Sequence, residues 1–176
     1  MSRLALMLAV LLLGPLAARG AVSGHDLLTG KPVSVAPGKS GTVVAFLSAK
    51  CPCSNSHVAL LKDLEKQYPE FAFVAIHSNT DEPLSLATPY FHAAALPFPV
   101  LQDEREKLAD EYRAYKTPHV YILTPDGKMA YKGGATDSAD ASHASKFYLR
   151  DALADLRAGR AVKVSETRTL GCVIKR

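Results

Sequence analysis

Hydrophobic and polar positions along the chain alternate in blocks that predict strands and helices in turn. An apolar, largely β-branched run at residues 42–47 predicts a buried strand, and a second run at 71–76 predicts another. Between these runs, apolar residues recur at helical spacing from Ser54 to Gln67, and Tyr68-Pro69 ends the helix. This order of strand, helix and strand is typical of an α/β domain.

The same spacing predicts three further helices, at residues 83–96, 103–112 and 142–158. Pro89 lies inside the first of them and is expected to break or kink it. Asp103 is expected to cap the second, and Gly159 to end the third.

Further strands are expected in the second half of the chain. Residues 119–123 form one strand, and 128–132 return beside it after the turn at 125–127. The prolines at 97 and 99 rule out a central strand at that point, so residues 100–101 are predicted to be only a brief extended piece.

The first twenty residues have the layout of a targeting segment. Met1-Ser2-Arg3 is a short basic start, Leu4 to Leu13 is an unbroken apolar run, and Ala18-Arg19-Gly20 supplies small residues for cleavage. The apolar run is shorter than a membrane span, and no stop-transfer pattern follows it. We therefore predict a signal peptide at residues 1–20, a periplasmic or secreted protein, and no membrane span after cleavage. An uncleaved N-terminal anchor is the alternative.

The mature chain is long enough for one ordinary domain with a real core. Its predicted parts are an irregular N-terminal segment at 21–34, a folded domain at 35–160, and an irregular C-terminal tail at 161–176. Residues 31–35 are able to form a short edge strand. The whole chain has 21 basic and 17 acidic residues, and two arginines would leave with the signal peptide. A charge so nearly balanced does not indicate nucleic acid as a partner.

The candidate chemistry is concentrated in the turn after the first buried strand. Cys51 and Cys53 lie there, at the start of the predicted helix. Unpaired backbone N–H groups and the helix dipole stabilise a thiolate at such a position, and Lys50 adds a cation. We therefore predict that Cys51 is a reactive thiol, ionised and within reach of solvent. The alternative is an inert cysteine that acts as a small buried hydrophobe.

The third cysteine, Cys172, lies in the predicted irregular tail. Three cysteines are few for a disulfide scaffold, and their odd number leaves one thiol unpaired or shared. In an oxidising compartment such a count points to redox work or metal binding. Cys172 is either a resolving thiol that folds back onto the turn or a tail cysteine without a chemical role.

Seven stretches carry a resemblance to known proteins through their order and spacing: Phe46–Asn55, Pro97–Asp103, Leu108–Tyr112, Thr117-Pro118, Pro125–Gly127, Tyr131–Gly133 and the ending Gly171–Lys175. Together they resemble a thioredoxin-like domain. The closer resemblance is to the redoxin family named for alkyl hydroperoxide reductase and thiol-specific antioxidant, the peroxiredoxin-like AhpC/TSA family. The resemblance implies an α/β fold, a thioredoxin-like three-layer α/β/α sandwich with a mixed central sheet.

The resemblance also implies roles for individual residues. Cys51 would be the attacking thiol. Pro118, after Thr117, would be a cis-proline that faces the sulfur, where the extended backbone of a substrate could pair. Ser48 matches the hydroxyl of the peroxidatic motif.

The sequence departs from the family pattern at two positions. Ser54 stands where thioredoxins have their second cysteine, and Val44 replaces the proline of the peroxidatic motif. The second thiol of the reaction would therefore be Cys53 or Cys172.

The expected function is that of an exported thiol–disulfide oxidoreductase or peroxiredoxin-like antioxidant without a cofactor. Its substrate would be a protein disulfide or thiol, or a peroxide, and an unidentified thiol would reduce it. The alternative is a Cu(I) metallochaperone that binds copper through Cys51, Cys53 and His57, since thiolate and imidazole ligands select Cu(I) or zinc. A redoxin-fold binding module without catalysis is a third possibility.

Overall fold

The computed structural model describes residues 20–176. The predicted signal peptide therefore lies outside the described residues except for Gly20. The elements in chain order are β1 (Val22–Asp26), β2 (Pro32–Val35), β3 (Gly41–Leu47), α1 (Pro52–Gln67), β4 (Phe71–His77), α2 (Leu84–Ala94), β5 (Val100–Gln102), α3 (Lys107–Tyr112), β6 (Lys116–Thr117), β7 (His119–Leu123), β8 (Met129–Gly133), α4 (Tyr148–Arg157) and β9 (Cys172–Val173).

Seven of these strands form one mixed sheet in the order β2-β1-β5-β4-β3-β7-β8. The interior strand β3 is parallel to β4 and antiparallel to β7. Because β3 and β4 are parallel, their carboxyl ends lie side by side at one edge of the sheet. The cysteine turn follows β3 and the loop before α2 follows β4, so these two segments are neighbours.

Helices cover both faces of the sheet. Successive residues of β3 point to opposite sides, and all seven are buried. One core cluster joins its odd-numbered side chains to α1, α2 and α4, through residues such as Leu61, Phe91 and Leu153. The other joins its even-numbered side chains to α3 and the C-terminal tail, through Ala109 and Ile174. The predicted three-layer α/β/α sandwich with a mixed sheet is confirmed.

The short edge strand expected within residues 31–35 is present as β2, but the residues before it are less irregular than expected. β1 and β2 form an antiparallel hairpin there, with Val22 opposite Val35. β1 also pairs with β5, which lies between β1 and β4 inside the sheet. A three-residue interior strand can follow Pro99 even though proline has no N–H to donate. The Pro99 carbonyl only accepts a hydrogen bond, from the Ala75 N–H at 2.9 Å.

The predicted helices also differ in detail. α2 continues through Pro89 without a break. α3 begins only at Lys107, after a single 3₁₀ turn at 104–106. α4 begins at Tyr148 rather than at residue 142, because the loop before it is fixed by the Asp137 carboxylate, which accepts backbone N–H groups of Ser145 and Lys146 at 2.9 Å each.

The C-terminal tail is largely without regular structure, as expected, except for β9. This strand pairs antiparallel with β6, so that Cys172 lies opposite Thr117 and Val173 opposite Lys116. The pairing brings the last residues of the chain to the cysteine turn.

Within residues 20–176, no helix has both the length and the apolar character that crossing a membrane requires.

Candidate active site

The cysteine turn connects β3 to α1 and has the helix start that the sequence predicts. Cys51 is the N-cap residue of α1, and Pro52 occupies the first helical position. The Cys51 N–H donates to the Ser48 hydroxyl at 3.0 Å, and the Ser48 N–H donates to the Ser54 hydroxyl at 3.2 Å. The turn is therefore held by its own serines.

Three sulfur atoms meet at this turn. The Sγ atoms of Cys51, Cys53 and Cys172 all lie within 4.8 Å of one another, and all three cysteines are free thiols. Cys51 is 2% exposed, whereas Cys53 and Cys172 are partly exposed. The prediction that the Cys51 thiol is within reach of solvent was wrong, since the residue is buried where β9 brings Cys172 beside it.

The three thiols differ in acidity. Burial raises the pKa of Cys51, but four groups that can donate hydrogen bonds to its thiolate, namely the Cys172 thiol, the Ser54 N–H, the Thr117 hydroxyl and the Cys172 N–H, outweigh burial and lower this pKa. Burial and the neighbouring Cys51 thiolate raise the pKa of Cys53, and they raise the pKa of Cys172 to about 12. Cys51 is therefore the thiol that ionises first.

The peptide bond between Thr117 and Pro118 is cis, as the resemblance implied. It presents the Thr117 carbonyl to Cys51, whose thiol donates to that oxygen at 3.1 Å. The Thr117 hydroxyl is buried and has no hydrogen-bond partner within the described part of the chain. When Cys51 loses its proton, this hydroxyl is available to donate to the thiolate.

Glu82, a carboxylate that was not predicted from the sequence, accepts hydrogen bonds from the cysteine turn. Glu82, 3% exposed, accepts hydrogen bonds from the Ser48 hydroxyl, from the Ala49 N–H at 2.7 Å and from the Lys50 N–H at 3.3 Å. The Asn79 amide donates to it at 3.0 Å, and His77 Nε2 lies 2.9 Å from its other oxygen.

These partners decide the protonation state of Glu82. Burial raises its pKa, but the hydrogen bonds from His77, Ser48 and the two backbone N–H groups lower it to about 2. The position of Glu82 in the loop after β4 was the available signal, because β4 runs parallel to the strand that carries the cysteines.

The two residues predicted to support Cys51 act through other contacts. Ser48 holds the backbone of the turn and Glu82, as described above, rather than the sulfur. The Lys50 ammonium, expected as a cation beside Cys51, instead donates to the Asp81 carbonyl at 2.6 Å.

His57, which the copper alternative names as a third ligand, does not lie in the cysteine cluster. It is buried in α1, where Nδ1 lies 2.8 Å from the Cys53 carbonyl and Nε2 lies 2.9 Å from the Thr136 hydroxyl. Both ring nitrogens are occupied. The cluster of possible metal ligands found among residues 20–176 consists of the three cysteines.

The fold and this site define a thioredoxin-like protein whose catalytic-type turn carries a cluster of thiols. The chain belongs to the AhpC/TSA family, whose family model matches residues 25–132. No curated protein is significantly similar to the chain.

Solved structures agree on the fold. An uncharacterized conserved protein from Geobacillus kaustophilus is 28% identical, with a TM-score of 0.79 and 90% of each chain covered. A secreted disulfide oxidoreductase from Mycobacterium tuberculosis is 18% identical, with a TM-score of 0.59, 77% of this chain and 96% of that chain covered. The peroxidoxin BcpB of the same organism is 20% identical, with a TM-score of 0.60 and coverages of 80% and 94%.

Proposed function

We propose that the protein is a thiol-based oxidoreductase in which Cys51 attacks the oxidising substrate and Cys172 resolves the product. One observation carries the proposal. The most acidic of three thiols lies at a helix start, against a cis-proline loop, with two further sulfur atoms within 4.8 Å. Membership of the AhpC/TSA family and the disulfide oxidoreductase and peroxidoxin among the similar structures support it.

The reaction has two steps. With a hydroperoxide, the Cys51 thiolate bonds to one oxygen as the O–O bond breaks, which leaves a sulfenic acid and an alkoxide that takes a proton to become an alcohol. With a disulfide, the same thiolate forms a mixed disulfide and releases the other sulfur as a thiolate. The Cys172 thiol then attacks Cys51, closes a disulfide and releases water or the second thiol. An external thiol must supply two electrons to restore the starting state.

Cys172 is a better resolving thiol than Cys53 on geometric grounds. A disulfide between Cys51 and Cys53 would bridge a single intervening residue, which strains the bond. Cys172 approaches from a separate strand, directly opposite Thr117.

Mass mapping of disulfides tests this assignment. After one equivalent of hydrogen peroxide or of a small disulfide, we expect a bridge between Cys51 and Cys172 in the wild type and in Cys53→Ser. In Cys172→Ser, we expect sulfenic acid or a mixed disulfide to persist on Cys51. A protein in which Cys51 stays reduced under both treatments would contradict the proposal.

We also propose that residues 1–20 direct export and are removed. The pattern of a basic start, a short apolar run and small residues before the cleavage point supports this. Expression of the whole chain in a bacterium, followed by N-terminal sequencing of the periplasmic fraction, tests it. A mature chain beginning at residue 21 is expected, and a full-length membrane-bound chain would contradict it.

A second candidate function is Cu(I) binding, and the meeting of three sulfur atoms favours it. Three thiolates form a soft ligand set of the kind that selects Cu(I). The ligands would be Cys51, Cys53 and Cys172 rather than His57, whose ring nitrogens are occupied. Anaerobic titration with Cu(I) against a chromogenic chelator tests this. Binding of one ion that Cys172→Ser abolishes and His57→Ala preserves is expected for this function.

A further inference from the structure

The strand β6, just before the cis-proline, has an edge that is paired with another segment of the same chain. β6, which ends at Thr117 just before Pro118, lies outside the seven-stranded sheet and pairs with β9. An unpaired strand edge binds extended polypeptide through main-chain hydrogen bonds. Here the partner is β9 of the same chain, so Cys172 lies opposite Thr117, in the place that an extended polypeptide would take if it paired with β6.

Residues 171–176, which we call the C-terminal segment, make close contacts with the domain both before and after β9. Gly171 has a φ of +156°, and a Cβ there would lie 2.1 Å from the Thr117 carbonyl oxygen, so only glycine permits the close approach. Ile174 is 4% exposed within the second core cluster, and its N–H donates to the Tyr115 carbonyl at 3.1 Å.

The end of the segment has further bonds. The Lys175 carbonyl accepts the Thr80 N–H at 3.0 Å and the Thr80 hydroxyl at 3.1 Å. The Arg176 guanidinium donates to the Ala114 carbonyl at 2.8 Å and pairs with Asp110. A segment with this many partners is part of the folded domain rather than a loose end.

We propose that the C-terminal segment occupies the polypeptide-binding edge beside Cys51 and thereby restricts this thiol to small oxidants, namely hydroperoxides and low-molecular-weight disulfides. The inference rests on the proposed function and names its substrate class. An extended polypeptide could pair with β6 only after β9 had left and Ile174 had been pulled from the core. An oxidant of a few atoms needs only the side chain of Cys172 to move aside.

The test compares two disulfides that share a leaving group. One is bis(2-hydroxyethyl) disulfide, and the other is an unstructured peptide whose single cysteine is joined to mercaptoethanol. In both reactions the Cys51 thiolate forms a new S–S bond, the old S–S bond breaks, and one thiolate is released. All proteins carry Cys53→Ser and Cys172→Ser, so that the mixed disulfide on Cys51 persists and can be measured by mass.

Two changes release the C-terminal segment in different ways. Gly171→Ala places a methyl group against the Thr117 carbonyl, and Ile174→Ala removes the buried anchor. Gly159→Ala is the matched control for the first, because that glycine also has a positive φ but has open space around it. Val164→Ala, at an exposed site in the tail, is the control for the second.

We expect the peptide probe to react more slowly than the small probe in the parent protein. The ratio of the peptide rate to the small-disulfide rate should rise by about tenfold or more in Gly171→Ala and Ile174→Ala, and should stay within about twofold in the controls. If one releasing variant fails to fold, the other gives the result. Equal rates in the parent protein, or a ratio that neither variant changes, would overturn the inference and leave the proposed function standing. Failure of every protein with both probes would overturn the two together.

Discussion

At the scale of single residues, the acidity of Cys51 comes from hydrogen bonds and not from a neighbouring cation. The sequence suggested Lys50, but its ammonium is bound to Asp81. The largest of the effects that lower the pKa of Cys51 is the hydrogen bond from the Cys172 thiol. The thiol proposed to resolve the reaction thus also helps to create the nucleophile.

Replacement of Cys172 should therefore make Cys51 less acidic. In a Cys53→Ser background, Cys172→Ala removes the donor that favours the thiolate, so the pKa of Cys51 should rise. Thiolate absorbance at 240 nm, followed against pH, measures this. Val164→Ala in the same background is the control, since it changes an exposed side chain in the tail. An unchanged or lower pKa in Cys172→Ala would mean that Cys172 does not stabilise the thiolate.

Glu82 should matter for stability, because it is a buried carboxylate surrounded by donors. Glu82→Gln replaces one acceptor oxygen with an NH₂ group that faces N–H donors, so the free energy of unfolding at pH 7 should fall by about 2–4 kcal/mol. Glu104→Gln, at an exposed site, should change it by less than about 0.5 kcal/mol. Urea unfolding measures both. A Glu82→Gln protein as stable as the wild type would show that the turn does not depend on this carboxylate.

The contribution of Glu82 to the free energy of unfolding should depend on pH, and the direction of the lowering of its pKa gives the sign. The folded protein lowers the pKa of Glu82 from 4.5 to about 2. Its stabilising contribution, on the order of 3 kcal/mol, is present above pH 4.5 and is lost as the pH falls towards 2. Glu82→Gln should therefore lose less stability than the wild type over this range.

At the scale of elements, α3 is fixed by a side chain that precedes it by a full turn. The Asp103 carboxylate accepts the Leu108 N–H at 2.9 Å, the Ala109 N–H at 2.8 Å and the Ser78 hydroxyl at 2.8 Å. Asp103 was predicted as the cap of a helix beginning beside it. The intervening 3₁₀ turn instead ends in two residues with positive φ, Arg105 and Glu106, and the cap reaches across that turn.

Removal of this cap should loosen α3 and the loop after β4 together. Asp103→Ala leaves two backbone donors and one hydroxyl without their acceptor, so the free energy of unfolding should fall by about 2–3 kcal/mol. Asp63→Ala, at an exposed position on α1, is the matched control and should have little effect. Urea unfolding measures the difference, and backbone amide exchange at Leu108 and Ala109 locates it. Equal stability of the two variants would contradict the capping role.

The elements that were predicted well are those whose secondary structure is determined by their own residues. β3 and β7 are buried throughout, and β4 is buried at every residue except Ala72. α1 has a clear helical period and a proline stop, so the pattern alone was sufficient. β1 and β5 were missed or underestimated because their pairing depends on each other and not on local composition. The sequence places Cys51 and Cys53 in the same turn, but it does not predict that Cys172 joins them. The position of Cys172 depends on the pairing of β9 with β6.

At the scale of the whole molecule, two segments that lie far apart in the sequence come together at the candidate active site. The turn that carries Cys51 and the tail that carries Cys172 are separated by most of the domain in sequence, and they meet only because the tail packs on the α3 face of the sheet. Loop-closure entropy rises slowly with loop length, so this separation does not prevent the contact.

A disulfide between these two cysteines should stabilise the folded protein, whereas one between Cys51 and Cys53 should not. The first would close a loop of roughly 120 residues and restrict the unfolded chain, which should raise the free energy of unfolding by about 2–4 kcal/mol. The second closes too short a loop for such a gain. Urea unfolding of the oxidised and reduced forms should show the increase in the wild type and in Cys53→Ser, and its loss in Cys172→Ser. An oxidised Cys53→Ser protein no more stable than its reduced form would mean that Cys172 does not form the bond, and the resolving role would then pass to Cys53.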